Sequence, residues 1–457
     1  MGTTVLLNRT EQMGAQKYET IEESDDKSIE DLPAGWSLTS VGELFQIVGG
    51  GTPSTKIPEY WDGDIPWITS ADIYGIKKIV TRRNINQNAI KNSAAHLVPK
   101  GSIIVVTRVS LGRIAICDTP ISFSQDCHAL IPKTDSIDPE FALFYLSQAV
   151  QTFQSKSRGT TISGVTVKVV SSLPFPLPPL AEQQRIVARV EALLMHVNAA
   201  RDRLSRVPLI MKRFRQAILA AAFSGKFTQD WRPENEFINS IDQNEINFEE
   251  NLPEGWKLVT IHDVCEVNPP KPSKDFLPAT TPVTFVPMPA VDADLGTITN
   301  PQLKPYLVVR SGGFTFFRDG DVIMAKITPC MENGKAAIIH GMENGIAFGS
   351  TEFHVMRSRG EILPEYIYHY IRQESFRKDA ENHFTGSVGQ KRVPSDFIKQ
   401  SVLPLPPLTE QHEIVRRVGL LFERADAIDR EVAAAGRRCE RLTQAVLGKA
   451  FRGELVK

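Results

Sequence analysis

Two long stretches of this chain place apolar residues in alternating steps of four and three. The first runs through Ile186, Val190, Leu193, Val197, Ala200, Leu204, Val207, Met211, Phe214, Ile218 and Ala221. The second lies 228 residues later, through Ile414, Val418, Leu421, Ala425, Ile428, Val432, Ala435, Cys439, Leu442 and Val446, and only Lys449 departs from the series. A seam held this long predicts two helices that pair as a coiled coil, because a 3.5-residue repeat keeps one stripe turned toward a partner. Ile186, Val190, Leu193, Val197, Leu204 and Val207 are expected to meet Ile414, Val418, Leu421, Ile428, Val432 and Leu442. The stretch from Ile186 to Ala221 would span roughly 54 Å at about 1.5 Å per residue. Pro208 and Gly436, again 228 apart, predict kinks at matched points. The heptads leave the pairing direction open.

Each seam is opened by the same words: Leu177-Pro178-Pro179-Leu180-Ala181-Glu182-Gln183 and Leu405-Pro406-Pro407-Leu408-Thr409-Glu410-Gln411. The prolines force an extended approach to a helix start, and Thr409 is a candidate cap. A second landmark, Leu32-Pro-Ala-Gly-Trp36, is answered by Leu252-Pro-Glu-Gly-Trp256. The organisation is therefore a block at 32–179, a long helix at 180–227, a second block at 252–407 and a second helix at 408–457. Inside the blocks, GSIIVVTR from Gly101 matches GDVIMAKI from Gly320, and FSQDCHAL from Phe123 matches FGSTEFHVM from Phe348. Short buried strands mixed with one or two helices, opened near Pro139 and Pro364, make each block an α+β domain.

Composition changes this picture little. A length of 457 residues with 42% hydrophobic and 8% aromatic content suits a globular chain of about three domains. No apolar run reaches the ~18 residues of a membrane span and no signal-peptide core is visible, so a cytoplasmic protein is expected. Cys117, Cys127, Cys265, Cys330 and Cys439 are odd in number and lack C-x-x-C spacing, which points to neither disulfides nor a zinc site. Charge matters more. The net charge is −1, yet residues 1–31 carry eight acidic against three basic side chains and 229–251 carry seven against one. Both stretches lack periodicity, so 1–31 is expected to be a flexible tail and 228–251 a linker, which leaves the blocks and helices basic.

Catalytic motifs are only imitated. Asn268-Pro269-Pro270-Lys271 resembles an amino-methyltransferase motif but ends in lysine, where an aromatic residue would have to stack on a base; a strand-ending turn is the favoured reading. Gly225-Lys226 and Gly448-Lys449 lack the rest of a phosphate-binding loop and are expected to close helices. His128 and His354 occupy matching strand positions and are expected to be satisfied by local hydrogen bonds.

The doubled L-P-L-P-P-L-x-E-Q, the heptads after it, the helix ends RFRQAILAAAFSGKFTQDWR and LTQAVLGKAFRGELV, and the run from Gly50 to Thr69 resemble the specificity subunit of type I restriction–modification systems. The resemblance covers about Leu32 to Lys457. It implies a noncatalytic DNA-binding subunit with two similar target-recognition domains, each reading half of a bipartite sequence on double-stranded DNA. The two helices would pair as an antiparallel coiled coil, giving a pseudo-twofold internal repeat, and would dock two modification (adenine methyltransferase) subunits, with restriction and translocase subunits joining them. No cofactor is expected on this chain; S-adenosylmethionine, ATP and Mg would belong to the partners. A fused single-chain modification enzyme and a plain coiled-coil scaffold are the rival readings.

DNA contacts are expected from loops carrying cations and hydroxyls. In the first block these are Thr52, Ser54 and Lys56 in a Gly/Pro loop, Lys77 and Arg82 in a basic cluster with Lys78 and Arg83, Arg108, Ser110 and Arg113 after a buried strand, and Thr160 and Thr161 with Ser163. In the second they are Lys271, then Lys326, Thr328, Asn333 and Lys335, and finally Ser387, Gln390, Lys391 and Arg392. Glutamine and arginine pair bidentately with adenine and guanine, so the last group is favoured. Trp61 and Trp67 are expected in the core.

Overall fold

The computed structural model describes residues 32–74, 78–108, 113–156, 166–232, 252–387 and 390–456. The expected tail, and the expected linker from 233 onward, lie outside these. Two compact units are present, one comprising Met1–Asp202 with Gly436–Lys457 and the other Arg203–Ala435.

In the first unit the LP-x-G-W turn leads into strand Ser37–Ser40, which pairs antiparallel with Pro174–Leu177, so that Ser37 faces Leu177. The two repeated landmarks are thus neighbours in space. In the second unit Lys257–Thr260 pairs with Val402–Leu405 in the same register, Lys257 facing Leu405. Ser40 and Thr260 then each cap a one-turn helix, reciprocally with Glu43 and Asp263.

The sheets repeat as well. Strands Phe45–Gly49, Cys127–Pro132, Ile103–Val106 and Ile114–Ile116 lie side by side in that order. Cys265–Val267, Phe353–Ser358, Val322–Ala325 and Ala336–Ile338 do the same in the second unit. Ile103–Val106 and Val322–Ala325 are buried along their whole length, as uninterrupted apolar runs between covered faces must be. A second sheet orders Arg83–Ile85, Ile65–Ile68 and Ser122–Phe123, matched by Gln302–Pro305, Pro282–Val286 and Ile346–Gly349. The second block adds Thr315–Arg318 beside the last of these. Helices Pro139–Lys156 and Pro364–Ile371 begin at the anticipated prolines. Tyr145 and Tyr370 donate their hydroxyls to the carbonyls of Pro174 and Val402, the first residue of the closing strand in each block.

The first long helix runs Leu180–Leu204 and resumes as Val207–Phe223. The break falls where Pro208 has no N–H to continue the ladder. The second, Leu408–Phe451, is uninterrupted, which corrects the expected kink at Gly436: glycine costs backbone entropy but keeps its hydrogen bond. Pairing is antiparallel. In one unit Ile186, Val187, Val190 and Leu194 share a core with Leu447, Ala450 and Phe451; in the other Ile218, Leu219, Ala222 and Phe223 share one with Ile414 and Val418. Arg215 bonds Asp426 at 2.5 Å and Asp429 at 2.8 Å across the second of these pairs.

Of the expected seam, Ile186, Val190, Ile414 and Val418 are buried, and Leu193, Val197, Leu204, Val207, Leu421 and Val432 are half-buried. Ile428 and Leu442 are 44% and 54% exposed and are not seam residues. A 3.6-residue helix drifts about 20° per heptad against a strict repeat, so the buried stripe slides onto neighbours such as Val187, Leu194 and Leu447. Thr409 stands inside the helix and does not cap it; the Pro407 carbonyl accepts the amides of Glu410 and Gln411 instead. Gly225 (φ 75°) follows the first helix as expected, whereas Gly448 lies within the second and Gly453 (φ 71°) follows it.

The repeated Glu-Gln explains why the two landmarks recur. Gln183 accepts the Asp138 amide at 2.8 Å and donates to the carbonyls of Ser136 and Pro178. Gln411 accepts the Leu363 amide at 2.9 Å and donates to Glu361 and Pro406. Glu182 accepts from the Trp36 indole at 3.1 Å, and Glu410 from the Trp256 indole at 2.9 Å. Glu410 is further bonded by the Thr228 hydroxyl at 2.6 Å and Arg232 Nε at 2.8 Å. Residues 228–232 are therefore part of a folded joint and not linker.

The two strand histidines are satisfied by local hydrogen bonds. His354 bonds the Val393 carbonyl through Nε2 and Asn268 through Nδ1, and His128 bonds the Thr107 hydroxyl at 2.7 Å. Burial holds both below the ordinary imidazole value and takes His369 down to about 3.

Two predictions follow from this architecture. Glu410→Ala strands an indole, a hydroxyl and a guanidinium and should cost about 3 kcal/mol in urea unfolding, against about 1 kcal/mol for Glu182→Ala. A folded imidazole value below the unfolded one means stability is complete above about pH 6.5 and is lost as pH falls toward the folded value. Between pH 6.5 and 4.5, stability should therefore drop by about 1.4 kcal/mol per pH unit on account of His369, and His369→Phe should flatten the slope by about one proton.

Candidate nucleic-acid interface

The candidate contact loops sit where strands of the two sheets end. In the first block the glycine run does not offer its amides to a ligand: Gly50 and Gly51 donate to the carbonyls of Cys127 and Phe123. A Cβ at Gly51 would stand 2.0 Å from the Ala94 carbonyl oxygen, so the glycine serves a close crossing of the chain. Beyond it Thr52, Ser54 and Lys56 are exposed. Thr52 donates its hydroxyl to Gln125, an exposed residue in the FSQDCHAL motif that charge-based reasoning passed over. Trp67 is buried and donates to the Gly51 carbonyl, while Trp61 packs edge-on against it at 5.0 Å.

The cations divide into free and committed. Arg108 is exposed. Arg82 pairs with Asp72 at 3.2 Å and bonds the Tyr74 hydroxyl. Arg113 is half-buried, with its guanidinium on the carbonyls of Ser70 and Ile73 rather than extended toward solvent. Lys77, Ser110, Thr160, Thr161 and Ser163 lie outside the described residues.

The second block shows the same division. Lys271 donates to the Gly312 carbonyl at 2.5 Å, and burial lowers its ammonium below the ordinary lysine value. Lys335 donates to the Met288 carbonyl at 3.1 Å and the Thr328 hydroxyl to Glu332 at 2.7 Å. Arg392 grips Glu352 with two parallel bonds, at 2.8 and 2.9 Å, and holds that carboxyl below its usual range. All four side chains are thus bonded within the block and help to hold its loops. Asn333, Ser387, Gln390 and Lys391 are exposed. Asn268 is structural, since its side chain bonds His354 and the Val355 amide. It opens a cavity of about 430 Å³ whose lining includes Lys271, Phe314, Phe316, Lys326, Thr351 and Phe353.

Lys326 and Thr107 are equivalent, each donating its amide at 2.9 Å to the carbonyl of the residue two places before the strand histidine, Glu352 and Asp126. Both blocks thus bring a buried-strand end, a histidine strand and an acidic turn together. Glu352 was legible only as part of FGSTEFHVM, with nothing in its spacing to pair it with Arg392. Among the described residues no cluster of three or more metal-ligating side chains occurs and no helix is long and apolar enough to cross a membrane.

A family model described as the type I restriction modification DNA specificity domain matches residues 33–203 and 253–430. The chain is 28% identical over 432 residues to the EcoDI specificity subunit of Escherichia coli, covering 93% of this chain and 89% of that protein. It is 35% identical over 212 residues to the EcoAI specificity subunit, also of Escherichia coli, covering 46% of this chain and 35% of that protein. A solved chain from work on complex assembly and conformational transition of the type I R-M system shares the fold. It has a TM-score of 0.67 and 22% identity, and the match covers 93% of this chain and 99% of that one.

Proposed function

We propose, because this chain belongs to the type I restriction modification DNA specificity family, that its two blocks each read one half of a bipartite DNA sequence. The paired helices set the distance between the halves and dock two modification subunits, through which restriction subunits join. The observation that carries this reading is the repeated joint: the same Gln-to-backbone and Glu-to-Trp bonds mount each block on the start of its helix. Two unlike readers on matching mounts suit an asymmetric split target. Exposed Thr52, Lys56, Arg108, Asn333, Gln390 and Lys391 would supply contacts to phosphates and base edges. The chain supplies recognition; S-adenosylmethionine, ATP and Mg would be held by its partners, in the cytoplasm.

The docking surface is suggested by two seam residues that turned outward. Phe214 (38% exposed) and Leu442 (54% exposed) are 228 residues apart, each preceded by an exposed arginine, Arg213 and Arg441. Equivalent apolar and cationic spots suit two copies of one partner.

Methylation sequencing of DNA from cells expressing this chain with its modification partner should reveal a split adenine motif that is absent without the chain. Exchanging residues 32–179 for another reader should alter one half only; an unchanged motif would refute the assignment. Phe214→Glu and Leu442→Glu should each reduce two bound modification subunits to one, read by native mass spectrometry.

A further inference from the structure

We propose that the cavity beside Asn268 in the second block is a pocket for one unstacked nucleotide of the bound duplex, its base held among Phe314, Phe316 and Phe353 and its phosphate by Lys326. The inference rests on the DNA-reading function above and adds to it a site and a ligand class.

The cavity is built by features particular to the second block. Part of its wall is Gly313 to Phe316, which leads into strand Thr315–Arg318, and that strand has no counterpart among the described residues of the first block. Another part is the Pro269-Pro270 turn. Lys271 ties the two together through its bond to the Gly312 carbonyl at 2.5 Å. Asn268, bonded to His354 and to the Val355 amide, fixes the turn on the histidine strand. The cavity is therefore formed before any ligand arrives. Its volume of about 430 Å³ falls in the range of small-molecule pockets, roughly 300–1,000 Å³.

Its lining selects the ligand. Phe316 and Phe353 are buried and Phe314 is half-buried, so aromatic and proline carbons offer apolar surface to a flat ring. Three polar groups of the lining are uncommitted: among the described residues, the Lys326 ammonium and the hydroxyls of Thr315 and Thr351 make no hydrogen bond or ion pair. Lys326 stands where the first block has Thr107, whose hydroxyl is bonded to His128. The neighbouring carboxylate, Glu352, is held by the Arg392 fork at 2.8 and 2.9 Å, which leaves the lysine charge for a ligand. Among the described residues no carboxylate lines the cavity.

A flat ring joined to an anion is the complement of this lining. A duplex presents that combination when a base leaves the stack, because the base stays attached to its phosphates. Aromatic side chains on the base and lysine on the phosphate are the contacts with which proteins hold such nucleotides. Exposed Lys391 puts a second cation on the adjoining segment, whose carbonyl accepts the Thr328 amide at 3.0 Å. Two cations suit a ligand with successive phosphates, which a strand has and a free mononucleotide lacks.

The test uses the full chain assembled with its modification partner, on duplexes carrying the motif found by methylation sequencing. A mismatch is placed at each position in turn; pairing lost in advance lowers the cost of extrusion, so binding tightens wherever a base leaves the stack. The wild type should tighten about ten-fold at the methylated adenine of each half, where the modification subunits act, and at one further position. That position should lie in the half left unaltered by an exchange of residues 32–179. Gly313→Leu fills the cavity: a Cβ there meets only the Thr351 methyl, at 3.8 Å, and its φ is not left-handed. Gly313→Leu and Thr351→Leu should abolish the further position and keep both adenine positions, which report an intact complex. Lys326→Ala should weaken the effect at that position and Lys326→Arg restore it. The pocket is overturned if the wild type shows the two adenine positions alone, or if the further one survives both fillings. Loss of modification subunits from both filled variants would overturn it too, by giving the cavity to a protein side chain. So would calorimetric binding of free dAMP or dTMP that Gly313→Leu removes, in a complex with no further mismatch position. A wild-type complex that adds no motif at all would instead refute the DNA-reading function itself.

Discussion

Everything in this chain hangs on how a block is held at the start of a long helix. A helix presents four unsatisfied amides at its start, and a globular block has loops with free carbonyls and amides of its own. The Glu-Gln pair after each proline run joins these sets. Gln183 and Gln411 are fully buried carboxamides using both ends of the amide on main-chain groups, and removing either would leave several buried groups unpaired, a cost well above that of an ordinary surface bond. Glu182 and Glu410 add an indole to the same joint. Without this constraint a helix could pivot about its proline lead-in, and the position of the reader relative to its helix would be undefined.

The loops at the strand ends follow a different logic. Cations that look alike in sequence are unlike in situation. Arg113, Lys271 and Lys335 terminate backbone carbonyls, whereas Arg108 and Lys391 are exposed. These carbonyls belong to short helical turns or their caps, where main-chain acceptors need donors, and a long cationic side chain supplies one while keeping its stem on apolar surface. Under the proposed function, recognition is left to the residues that the scaffold does not consume.

Much of the fold was legible because it depends on repetition. The duplicated landmarks, the buried strands at Ile103 and Val322 and the two apolar seams are patterns that a single sequence displays against itself. What escaped was geometry between distant positions. The heptads could not tell parallel from antiparallel, and a strict repeat assigned Ile428 and Leu442 to a seam from which the natural helix period rotates them. The uninterrupted helix through Gly436 was equally hidden, since glycine weakens a helix without breaking it. At the site, loop composition could not tell which cations the scaffold consumes, because the partners of Arg113 and Arg392 lie about 40 residues away in sequence. Gln125 and Glu352 were missed for the same reason.

One property of the joint reaches beyond this molecule's own stability. Within each block, the carboxamides of Gln183 and Gln411 touch only main-chain atoms: the Ser136 carbonyl and Asp138 amide in one, the Glu361 carbonyl and Leu363 amide in the other. A carbonyl is the same whichever residue carries it, and an amide is present in every residue but proline. This half of the fastening is therefore blind to the side chains it fastens; only the Trp36 and Trp256 indoles ask for a particular residue. A block could change most of its surface, or be exchanged for another that keeps the tryptophan, and this socket would still close, so the sequence of a block is largely uncoupled from the way it is mounted.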